Sequence, residues 1–179
     1  MSGKKTLVLG AVAAVLVVGA WGYWFVRSHS FSAREKPTAL EASIARRLRW
    51  LATPPGVRDL KNPVEATELN IAEARDHFAD HCAVCHANNG SGDTQIGAGL
   101  YPPPPDMRDS ATQSLTDGEL FYIIKNGIRF TGMPGWGGED DENWKLVAFI
   151  RHLPELSDFE LQLMNEINSL GSSGEQDEH

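Results

Sequence analysis

The 179-residue chain holds only two cysteines, three positions apart, with a histidine directly behind the second: Cys82-Ala-Val-Cys85-His86. Such a pair cannot build a disulfide framework, so the core must be held together in another way. The spacing is what covalent haem attachment requires. Each thiol adds to one of the two vinyl groups, and the next residue presents an imidazole to the iron. A tethered porphyrin also gives a large apolar body to a domain that would otherwise be small. Two other uses of paired cysteines fit less well. A thioredoxin-like redox pair expects a βαβ surrounding, whereas the pattern here is helical. A zinc site expects a second pair of ligands at matching spacing, and no second cysteine pair exists.

An electron-transfer haem usually takes a second axial ligand from the protein. Methionine suits it, because a soft thioether favours ferrous iron and raises the potential. The candidates are Met107, Met133 and Met164. Met107 follows a proline run and lies nearest His86 in sequence, and Met164 sits on a helical stretch further on. Met133 lies in Phe130-Thr-Gly-Met133-Pro-Gly-Trp136, where Gly and Pro fix the backbone so that a side chain can reach an iron. That context favours Met133, although gap-filling in a core is the commoner use of methionine.

Thr6 to Val26 is an uncharged run of 21 residues. As a helix it reaches about 31 Å, enough to cross the hydrocarbon core. Trp21, Tyr23 and Trp24 cluster at its end, where aromatic rings favour the interface. A cleaved signal peptide is the rival reading, with Lys4-Lys5 in front and Val18-Gly19-Ala20 as the cleavage site. The apolar run continues past that site through bulky aromatic residues, so an uncleaved anchor is expected.

Charge is divided along the chain. Residues 1–61 carry a balance of +7 and residues 62–179 a balance of -15. An acidic domain argues against nucleic-acid binding, because phosphate repels carboxylate. It favours a partner with a basic docking face, mainly through faster encounter.

The periodicity predicts a connector at 27–64 whose Ala39–Ala52 helix puts Leu40, Ile44, Leu48 and Leu51 on one stripe. That stripe either lies on a membrane or partner or packs on its own domain. Helical patterns follow from Asn70 to His81, after the capping box Thr116-Asp-Gly-Glu119, and from Asp140 to Leu153. A last one, from Ser157 to Leu170, carries Phe159, Leu163, Ile167 and Leu170 on a stripe. The tail from Gly171 is small and acidic and is expected to stay unfolded. His77, His81 and His152 read as surface positions. No catalytic constellation stands out, and Gly90-Ser-Gly92 lacks the preceding strand that a phosphate loop needs.

The stretch from Glu65 to Pro154 resembles a class I cytochrome c domain. The resemblance rests on the Cys82–His86 motif near its start, Thr131-Gly-Met133-Pro further on, and a terminal helix containing Trp144-Lys-Leu-Val-Ala-Phe149. It implies an all-α fold around one covalent haem c, with first and last helices crossing at Phe78 and Phe149. Ala74 stands where the family often has glycine. It also implies Cys82 and Cys85 as the haem thioethers, His86 as the proximal iron ligand and Met133 as the distal one. A carbonyl of Tyr101–Pro105 would accept the His86 ring N–H.

The organisation expected is an anchor at 1–26, a connector at 27–64, a haem domain at 65–154 and a C-terminal helix and tail at 155–179. The six basic residues from Arg27 to Arg49 outnumber those before the anchor, so the positive-inside rule alone places the domain in the cytoplasm. Haem attachment in this family follows export, and that places it on the periplasmic side. The function implied is one-electron transfer by an anchored carrier that is not an enzyme. The alternatives are a fixed subunit of a larger respiratory or photosynthetic complex, a haem sensor or peroxidase with an open distal site, and a scaffold with a vestigial haem. Pigment of the purified protein should stay with the polypeptide through acid–acetone extraction, read by absorption; a colourless polypeptide would remove the basis for all of these readings.

Overall fold

The structure, a computed structural model, describes residues 2–28 and 32–174. It divides into two units, Met1–Glu35 and Lys36–His179. In the first, Ala, Leu and Val follow one another with no polar face, and Ser2–Ser28 forms one helix (α1) whose apolar side chains, Leu7, Leu16 and Trp24 among them, are exposed. Its Gly3–Ser28 stretch of 26 residues is long and apolar enough to cross a membrane. A helix suits that medium because it satisfies its own backbone donors and acceptors.

The second unit is helical, with no strand among the described residues. Helix α2, Ala39–Ala52, is opened by a Thr38–Glu41 capping box. Pro54-Pro55-Gly56 does more than end it: Pro55 occupies the first position of a short turn, α3 (Pro55–Arg58), where its missing N–H costs nothing. Thr67 caps α4, Glu68–His77. The chain then widens into a π-helical turn, Phe78–Cys82, and returns to helix for Ala83–His86 (α5). After a long glycine- and proline-rich loop come α6 (Ser110–Gln113), α7 (Asp117–Asn126, opened by the Thr116–Glu119 capping box) and α8 (Asp140–His152). Leu153–Glu155 forms a 3₁₀ turn, and α9 runs from Asp158 to Gly174.

The core lies where α4 crosses α8. Phe78 and Phe149 meet there with ring centroids 5.2 Å apart, and Ala74 is buried beside them. Lys145 on α8 closes the crossing from outside by pairing with Glu73 on α4 and Asp141 on its own helix, both at 2.9 Å. Helix α7 stacks Phe121 on Trp144 at 4.2 Å. Its Gly118 leaves no room for a side chain: a Cβ would lie 1.8 Å from the Val57 carbonyl oxygen of α3. Arg151 binds the carbonyls of Gln113 and Leu115 and the carboxylate of Asp117, tying α6 and α7 to α8.

Three expectations for the C-terminal part change. Helix α9 belongs to the core through Met164, which is 0% exposed, whereas Phe159 is 69% exposed. The packing stripe has rotated onto Glu160, Met164 and Ile167, because polar side chains of α9 also bond inward. Glu160 accepts from His152 at 2.8 Å, and Asn168 donates to the Ala79 carbonyl at 2.7 Å. His152 is therefore half-buried rather than on the surface. Burial works against the charge of Glu160, but hydrogen bonds from Ser157 and His152 outweigh it and hold the carboxyl below its usual range. So docked, α9 continues through Gly174, past the point expected to be unfolded; residues 175–179 of that tail lie outside the described residues.

Phe149→Ala should destabilise the second unit by about 3–5 kcal/mol, the usual cost of truncating a fully buried Phe. Denaturant unfolding followed by helical circular dichroism measures this, and a loss below about 1 kcal/mol contradicts the crossing as the centre of the core.

Candidate functional site

The site begins with the π turn. Its extra residue per turn shifts every later side chain around the helix axis, and such turns recur at functional sites. The Ala83 amide bonds the Phe78 carbonyl, five residues back; Cys82 ends this turn, and the next presents Cys85 and His86. Residues three apart share a helix face, so the two thiols lie on one side. Both cysteines are free and half-buried. Burial, with Cys85 adding to it, pushes the Cys82 thiol up to about 12. A thiol so reluctant to ionise is a poor redox nucleophile at neutral pH.

His86 is buried against Phe78, ring centroids 6.5 Å apart. Burial alone lowers its pKa to about 4, so the imidazole is neutral at physiological pH and needs no deprotonation before binding a metal. Its Nδ1 is buried and has no hydrogen-bond partner. The bond expected from a Tyr101–Pro105 carbonyl is not made. The Pro104 carbonyl is turned instead onto Gly92, where a Cβ would lie 2.6 Å from its oxygen.

The loop after α5 is folded back onto the motif through backbone bonds. Gly92 N–H donates to the His86 carbonyl at 2.8 Å, and the Thr94 hydroxyl donates to the Cys85 carbonyl at 3.2 Å. Gly97 closes against the same carbonyl so tightly that a Cβ would sit 2.7 Å from it. The chain leaves α5 through Ala87 at φ 60°, ψ 154°, a conformation otherwise held almost only by glycine.

Met133 lies in the loop after α7, which doubles back on that helix. Ile128 N–H donates to the Met133 carbonyl at 3.1 Å, and Trp136 N–H donates to the Ile124 carbonyl at 3.2 Å. Met133 N–H itself donates to the Thr131 hydroxyl at 3.1 Å. Two contacts fasten this loop, one to the π turn and one to the segment after Gly97. On one side Trp136 meets His81 of the π turn edge-on at 5.8 Å. On the other, Leu100, just beyond Gly97, packs on Gly132, whose Cβ would approach it to 2.7 Å. Met133 is half-buried between these contacts, whereas Met107 and Met164 are buried in the core. The described residues hold no group of three or more His, Cys, Asp or Glu placed to bind a metal ion together. His81, exposed beside Asp80 at 3.2 Å, packs on Trp136 rather than facing solvent alone.

Residues 69–150 match the family model for cytochrome c oxidase, cbb3-type, subunit III. This stretch is a c-type cytochrome domain. No curated protein matches the chain. The helical architecture is the class I cytochrome c fold, and such a domain carries haem c in electron transfer. The cytochrome domain fits that group on its own features: two thiols on one helical face and a neutral buried imidazole with an unpartnered ring nitrogen.

The roles of Thr94, Gly97, Leu100, the π turn and the His81–Trp136 contact were not read from the sequence. The glycine-rich loop was visible, but which carbonyls its donors reach depends on tertiary folding. Ala87→Gly should stabilise the cytochrome domain by about 1 kcal/mol, the relief of backbone strain less the extra freedom of an unfolded glycine. A denaturant midpoint that stays or falls contradicts the strain.

Proposed function

We propose that the chain is a membrane-anchored, single-haem electron carrier: an anchor at 1–26, a connector at 27–64, a haem domain at 65–154 and a C-terminal segment at 155–179. The observation that carries this is a neutral, buried His86 next to two thiols, with the Met133 loop touching the π turn through Trp136 and the segment after Gly97 through Gly132. In this reading Cys82 and Cys85 form the thioethers, His86 is the proximal ligand and Met133 the distal one. The bound haem supplies a one-electron couple between ferrous and ferric iron. The residues around it do the rest.

The π turn and the bonds from Gly92 and Thr94 fix where the imidazole points, so little reorganises on electron exchange. The Thr131 and Ile128 bonds hold Met133 in place, and a thioether ligand keeps the potential on the oxidising side. With His86 and Met133 both given to the iron, a bound haem would leave no position for oxygen or peroxide. Phe130, 94% exposed at φ 63°, projects from the same loop and offers an apolar contact to a redox partner. The acidic charge of residues 62–179 selects a basic partner face and speeds encounter with it. Haem attachment after export places the domain on the periplasmic side of the cytoplasmic membrane.

A second reading is supported by the match to an oxidase subunit model. There the same chemistry serves a fixed subunit of a larger membrane oxidoreductase complex, and copurification in mild detergent distinguishes the two.

The reduced wild-type protein should not bind carbon monoxide, whereas Met133→Ala should bind it stoichiometrically and show a lower reduction potential. Met107→Leu and Met164→Leu should leave both unchanged. Carbon monoxide binding by the wild type, or an unaltered potential in Met133→Ala, removes Met133 from the iron.

A further inference from the structure

Helix α2 buries none of its residues, yet it is amphipathic. Thr53 at its C-cap is buried, and Ala42 and Arg49 are half-buried. Glu41 accepts from the Tyr101 hydroxyl at 2.6 Å, and Arg49 lies within electrostatic reach of Glu119. At about 100° per residue, Ala42, Arg49 and Thr53 define the face turned to the domain. Leu40, Ile44, Leu48 and Leu51, all exposed, form a stripe centred about 165° away from it. The apolar stripe thus points out of its own domain.

Beside the stripe stands Trp50, with the guanidinium of Arg58 4.2 Å and that of Arg47 5.9 Å from its ring centroid. An amphipathic ring flanked by two cations suits the level of lipid headgroups. Residues 27–61 carry eight basic side chains against three acidic ones, so an anionic surface attracts them. Ten residues separate Ser28 from Ala39, a reach of about 37 Å when extended, ample for α2 to lie at the surface from which α1 emerges.

A protein partner fits less well. The helix is about 21 Å long and its stripe about 10 Å wide, roughly 200 Å² against the about 800 Å² per partner of a stable interface.

We infer that α2 is a membrane-surface helix that lays its Leu40–Leu51 stripe into the bilayer and binds anionic headgroups through Arg47, Arg58 and Trp50. It rests on α1 spanning that bilayer. The attachment makes α2, rather than a loose tether, the mount of the cytochrome domain, and it gives the basic residues after the span a use besides topology.

The test uses the full-length holoprotein in bilayers of phosphatidylcholine with phosphatidylglycerol and in phosphatidylcholine alone. A benzophenone amino acid replaces Ile44, Ala45 or, inside the span, Leu16, and mass spectrometry identifies the photo-adducts. Position 44 should give phospholipid adducts about tenfold above position 45 in the anionic bilayer. Arg47→Glu/Arg58→Glu, with its haem absorption unchanged, should lower that yield about tenfold. Lipid adducts at 44 no stronger than at 45, or adducts at 44 to a second copy of the chain, overturn the inference. Adducts at 44 that are equally strong in phosphatidylcholine alone and indifferent to the arginine reversals overturn the headgroup recognition. Absence of lipid adducts at 16 overturns the span and the surface helix with it.

Discussion

Phe78 couples the core of this cytochrome domain to its site. Its ring packs on Phe149 at the crossing of α4 and α8, and the same ring lies against His86. Its carbonyl accepts the bond that closes the π turn in front of the cysteines. One residue therefore sets the helix crossing and the wall behind the imidazole with its ring, and the rotation of the motif with its carbonyl. A core residue that moves by a fraction of an ångström moves the imidazole with it, since close-packed interiors transmit displacement.

Electrostatics then separates the molecule into parts. The site itself is uncharged: a thiol held protonated and an imidazole held neutral, both by burial. Charge lies outside it, negative over residues 62–179 and positive over residues 1–61. The two outer fields suit the two proposed surfaces, a basic redox partner for the domain and anionic lipid for α2.

Much of the fold was legible because its signals are local. Thr38 with Glu41 and Thr116 with Glu119 mark helix starts by hydrogen bonds three residues apart, and both boxes form. The Phe78–Phe149 contact followed from a family pattern. What escaped were features with no local signature. The π turn at Phe78–Cys82 carries no composition that distinguishes it from ordinary helix. His152 and Phe159 exchanged environments because α9 rotated to satisfy Glu160 and Asn168, partners distant in sequence. No carbonyl of Tyr101–Pro105 bonds the His86 ring nitrogen; Pro104 closes on Gly92, which has no side chain to keep it out.

The sequence by itself determined the chemistry available: two thiols and an imidazole at fixed spacing, one methionine between Gly and Pro, and an apolar run long enough to cross a bilayer. These are properties of neighbouring residues, and covalent geometry fixes them before any folding. Only the tertiary structure decided which methionines vanish into the core, which helix face of α2 is left outward, and how the Met133 loop is held against the motif. Those outcomes depend on competition for buried volume and for hydrogen-bond partners among residues far apart in the chain, and no local pattern records that competition.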